Sequence, residues 1–78
     1  MKRKKVYEAI DSERDYQDEV LETSERSIDE FILYIKGYSD KAVSQSINFG
    51  GGKGKLEIIR KIAALCVHCG EQHGIRKR

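Results

Sequence analysis

The sequence predicts an all-α protein: three helical segments in which two form an antiparallel hairpin and self-association completes the fold. Three observations predict it. Proline is absent from all 78 residues, 36% of the residues are charged, and apolar residues recur at three-and-four spacing over long stretches. A single domain of this length sits near the lower end of what one core can stabilise. So short a helical chain has few layers to stack on itself, which makes a homo-oligomer the expected way to cover its apolar faces.

The first helix is expected over about residues 4–21. Val6 and Ile10 fit one helical face, but Arg14 and Gln17 interrupt it, so this helix depends on a partner for stability. Residues 22–26 form a polar connector. The second helix, about 28–47, opens on a capping box in which Ser27 is the N-cap and Glu30 the third helical residue. Asp29 and Glu30 also set negative charge against the positive end of its dipole. Ile28, Phe31, Ile35, Tyr38 and Ala42 form its stripe, widened by Ile32, while Gly37 suggests a close helix crossing. A glycine loop over 48–54 ends this helix. The third, about 55–73, carries a stripe of Leu56, Ile59, Ile62, Ala63, Cys66 and Cys69 or Gly70, with Ile58 and Leu65 as a second apolar edge. Gly74 is the expected C-cap, followed by a basic tail over 75–78.

The net charge of +2 conceals a segregation along the chain. Residues 1–5 carry four cations, residues 8–30 hold ten acids, and from Lys36 onward nine Lys or Arg face three acids. Such asymmetry serves an anionic ligand or pairs neighbouring protomers, and solvated helix faces account for it equally well. No apolar run reaches the length of a membrane span, and the basic start is not followed by an apolar h-region, so no membrane partner is expected. Two cysteines three residues apart are not a secreted disulfide framework, and a cytoplasmic location follows. The acidic segment repels phosphate, which argues against double-stranded DNA as a partner.

The stretch NFGGGKGK, residues 48–55, has the look of a phosphate loop. The Walker pattern fails on it, because Phe49 stands at the first glycine position, Leu56 stands at the hydroxyl position, and no strand precedes it. The glycines serve first as a hinge. A phosphate contact at the following helix start, aided by Lys53, Lys55 and Arg60, is the second use. Cys66, Cys69 and His73 could share a helical face as metal ligands. Cys66 lies on the apolar stripe, however, so packing is the expected role and no metal site is assigned.

Three stretches, AIDSERDYQDE, SIDEFILYIKGYSDKA and IRKIAALCVHCGEQHG, resemble small phage-type proteins related to the MazG-like all-α nucleotide pyrophosphohydrolases. The resemblance covers most of residues 9–74. It implies an oligomeric helix bundle that binds nucleoside triphosphates through Mg²⁺ held by E-x-x-E and E-x-x-D carboxylates. Here the first pair falls at Gly37 and Asp40, and the second near Glu57 and Arg60 or at Ile58 and Lys61. Metal-ligand acids are therefore missing, and cations stand where they would bind. No catalytic residue and no cofactor is assigned; Mg²⁺ enters only if hydrolysis survives on another acid set, such as Asp40, Glu57 and acids of the first helix.

A scaffold that lost those acids but kept its cations would hold phosphates directly. The expected function is thus a non-catalytic, phage-type accessory protein that sequesters a nucleotide-type anion, such as a signal of host immunity. Its expected ligand-binding residues are Tyr38, Lys41, Lys53, Lys55, Arg60 and Lys61, with Tyr34 or Tyr38 stacking on a base. The alternatives are an antagonist or assembly factor acting on a host protein, and a Mg²⁺-dependent pyrophosphohydrolase.

Overall fold

A computed structural model describes residues 1–20, 24–49 and 52–78, with side chains described outside 45–53. Leu21, Gly50, Gly51 and the side chain of Lys53 lie outside the described residues. The fold is three α-helices: α1 spans Arg3–Val20, α2 spans Ile28–Phe49 and α3 spans Gly52–His73. There is no strand among the described residues. The glycine-rich stretch expected as a loop over 48–54 is partly helical, since α2 continues through Phe49 and α3 opens at Gly52.

The caps follow from the residues at each end. Ser27 Oγ accepts the Glu30 N–H at 3.1 Å, and Glu30 Oε1 accepts the Ser27 N–H at 3.1 Å. Two donors that the first turn leaves open are thereby satisfied reciprocally. At the far end of α3, Gly74 adopts a positive φ of 83° and its N–H meets the Gly70 carbonyl at 2.8 Å. Only glycine takes that conformation without strain, so the helix stops there. Ile75 then folds back over Gly70, where a β-carbon would lie 3.3 Å from its side chain.

Helix α3 is the centre of the molecule. Both α1 and α2 pack on it, and α1 and α2 do not meet among the described residues. The apolar core is Phe31, Ile58, Ala64 and Leu65, with Phe31 fully buried. The inward face of α2 follows its expected stripe, with Ile35, Tyr38 and Ala42 half-buried behind Phe31. Ile28 and Ile32, the latter expected to widen the stripe, depart from it and are exposed.

The α3 stripe is corrected by the structure. Ile58 and Leu65, expected as the second edge, are the buried residues, whereas Leu56, Ile59 and Cys66 face outward. Both faces of this helix are apolar, and packing of α1 and α2 selects the one that also carries Ala64 and His68. Cys66 therefore does not pack within the chain. Gly37 is corrected too: nothing lies within 4 Å of where its β-carbon would be, so no helix crosses closely there.

The face of α1 is the largest departure. Its buried residues are Glu13, Arg14 and Gln17, the polar positions that interrupt its apolar stripe. Each finds a partner on α3 or α1, which offsets the cost of taking it from water, although Gln17 Oε1 is buried without one. Arg14 Nε donates to Glu71 Oε1 at 2.6 Å and its Nη1 to Asp18 Oδ1 at 2.6 Å. Gln17 Nε2 donates to the Lys61 carbonyl at 3.3 Å. Burial opposes the Arg14 charge, but the hydrogen bonds and negative charge of Glu71 and Asp18 outweigh it and raise its pKa.

Candidate functional site

Two of the expected ligand-binding residues, Arg60 and Lys61, line one cleft between α1 and α3. Ser12, Glu13, Tyr16 and Glu57 complete it, and its volume is about 400 Å³. The cleft exists because α1 approaches α3 through polar side chains, which leave a polar seam instead of an apolar seal.

Its central contact is an ion pair. Arg60 Nε donates to Glu13 Oε1 at 2.8 Å; the Glu13 side chain is 6% exposed and that of Arg60 41%. A buried carboxylate therefore fixes a guanidinium that still reaches solvent. Guanidinium carries five N–H donors in a planar fork. The pair uses Nε, and no described hydrogen bond engages the Nη atoms. Lys61 adds a second cation and takes part in no ion pair among the described residues. Tyr16 contributes a half-exposed ring at the same cleft, while Glu57 contributes an opposing negative charge.

The other expected residues stand apart. Tyr38 is half-buried on the inward side of α2, Lys41 is exposed, and Lys55 is half-buried near the start of α3. Among the described contacts, none joins these three to Arg60 or Lys61. The phosphate contact suggested for the glycine stretch falls largely outside the described residues. Ser12, Glu13 and Tyr16 went unrecognised in the sequence, because an acidic helix face reads as solvated until its partner is known.

The acids and thiols do not gather. Asp40 pairs with Lys36 at 2.8 Å on the surface of α2, raising the lysine's pKa, while Glu57 lies in the cleft on α3. Among the described residues, no three His, Cys, Asp or Glu side chains are placed to hold a metal ion. Cys66 is exposed, Cys69 is half-buried, and both are free thiols.

A second polar cluster ties the start of α2 to the end of α3. Gln72 Oε1 accepts the Arg26 N–H at 3.0 Å, and Gln72 Nε2 donates to the Ser24 carbonyl at 3.3 Å. The same amide nitrogen lies 3.1 Å from His68 Nε2, which must then accept and carry its ring proton on Nδ1. That Nδ1 is buried without a partner. His73 Nε2 lies 2.6 Å from the Arg26 carbonyl and donates to it. Phe31 meets the rings of His68 and His73 edge-on, at 5.3 and 6.2 Å between centroids. Arg26 in turn lies over the Tyr34 ring at 4.8 Å. Gln72 and His73 are spent on backbone groups of Ser24 and Arg26, so this cluster acts first as a clasp between the two helices.

No family model, curated protein or solved structure matches the chain. No described helix is long and apolar enough to cross a membrane.

Proposed function

We propose that this chain is a non-catalytic binding module that sequesters a nucleotide-type anion in the cleft between α1 and α3. The observation that carries this reading is the Arg60 guanidinium, held on its Nε by buried Glu13 and left with its Nη donors to offer. Lys61 supplies a second charge for a phosphate, and the exposed Tyr16 ring is available to stack on a base. A cation fixed in advance loses little freedom when it binds, which favours retention of a ligand. The MazG-like resemblance agrees with a nucleotide ligand, and in a phage-type protein such retention would lower a signal of host immunity.

The assembly belongs to the same proposal. Arg26 and Phe31 near the start of α2 meet Gln72, His73 and His68 near the end of α3. That supports an antiparallel hairpin of α2 and α3. The small core and the exposed apolar residues of both helices support a homo-oligomer.

The test is one incubation measured twice. Purified protein is mixed with linear and cyclic nucleotides and Mg²⁺, and free nucleotide is quantified before and after heat denaturation. Loss followed by intact recovery is the expected result. New products would mean hydrolysis instead, and no loss at micromolar protein in low salt would overturn the ligand and leave a host protein as the partner. The double variant E13Q/R60Q keeps a hydrogen-bonded pair without its charges. It should weaken retention about tenfold or more while leaving helicity unchanged, since a charge-assisted contact is worth roughly 1.5–3 kcal/mol.

A further inference from the structure

Helices α2 and α3 each carry an apolar strip that no described helix covers. On α2, Ile28, Ile32 and Val43 are 51%, 55% and 57% exposed. At about 100° of rotation per residue, they lie roughly 60–120° round the helix from buried Phe31. On α3, Leu56 and Ile59 are 67% and 55% exposed, and Cys66 is exposed beside them. These lie roughly 80–160° round from buried Ile58, in the same rotational sense. The polar contacts with α1 leave α3 from Arg60, Lys61 and Glu71, on the other flank. Equal rotations on two helices of opposite direction point to the same side of the pair. The two strips therefore merge into one apolar face.

We infer that a second copy of this chain docks on this face, α2 and α3 of one protomer against α2 and α3 of the other. The inference rests on the hairpin and self-association proposed above, and it names the surface. Three features select a copy of the chain over a foreign partner. First, the chain's own core is only Phe31, Ile58, Ala64 and Leu65 among the described residues. A chain this small needs its cover whenever it is folded, which an occasional partner does not supply. Second, the six residues that make the face carry no charge. At its border Lys36 is paired with Asp40 at 2.8 Å and Lys55 is half-buried about 60° round from Ile58, so the centre of the face offers apolar contact and its few charges stand at the rim. Third, the six side chains present on the order of 500 Å², most of the roughly 800 Å² per partner that a standard interface buries.

Sedimentation velocity over a concentration series decides it, run on the wild type, on I32E/I59E, and on Leu33→Glu, whose site is exposed but off the face. The expected result is assembly of the wild type and of Leu33→Glu, with I32E/I59E monomeric and equally helical. In parallel, the Cys66 thiol is titrated with a maleimide in a Cys69→Ala background. It should react several-fold more slowly at assembling concentrations than on dilution, and this readout decides the matter if I32E/I59E does not fold. An assembled wild type whose Cys66 reacts equally at all concentrations overturns the face and leaves self-association standing. A wild type monomeric throughout overturns self-association itself.

Discussion

At the scale of single residues, His68 pairs burial with an ionisable ring. It is 5% exposed, and burial first, then the positive charge of Arg14, lowers its pKa below the ordinary 6.5. Arg26 acts in the same direction, while Glu71 and Asp18 oppose it. Above pH 6.5 the ring is neutral in both the folded and unfolded chain, and its contribution to stability is whole. As the pH falls below 6.5 the unfolded ring takes up a proton that the folded ring resists, so stability falls. The loss levels off once the pH is below the folded value. Urea denaturation between about pH 7.5 and pH 5 should show this slope in the wild type and a shallower one in His68→Gln. Gly37 offers an opposite case. It is helical, exposed and free of neighbours, so Gly37→Ala should stabilise the chain by about 0.5–1 kcal/mol in the same assay.

Among the elements, α1 and α2 are held by different physics. The start of α2 rests on its capping box, and Ser27→Ala should cost about 1 kcal/mol in chemical denaturation. Helix α1 rests on Arg14, which spans from Asp18 in its own turn to Glu71 on α3. Arg14→Ala should therefore speed amide exchange in α1 by about tenfold or more while the inward part of α2 stays protected. The two helices also differ in how far the sequence revealed them. The capping box and the Phe31, Ile35, Tyr38, Ala42 stripe are local patterns, and α2 follows both. In α3 the periodicity is present but ambiguous, because Leu56–Ile59–Cys66 and Ile58–Leu65 are both apolar and only packing separates them. In α1 the burial of Glu13, Arg14 and Gln17 has no local signature, since the α3 groups that each of them meets lie more than forty residues away. The cleft was half legible for the same reason. Its cations were visible in the sequence, whereas the carboxylate that fixes one of them was not.

For the whole molecule, exposure outweighs burial among the large apolar side chains of the described residues, from Val6 and Tyr7 through Ile32 and Leu33 to Leu56 and Ile59. If part of this surface is covered by another copy, folding and association are one equilibrium. The midpoint of thermal unfolding should then rise with protein concentration and fall back in I32E/I59E, as mass action requires. The arrangement of the helices carries a consequence of another kind. Because α1 and α2 each touch α3 but not one another among the described residues, α3 is where their histories meet. Substitutions in α1 and α2 should combine additively in double-mutant cycles, whereas pairs that include an α3 contact residue should not. A chain wired in this way can remodel its polar arm and its capped helix independently, while almost any change at the inward positions of α3 is felt on both sides at once.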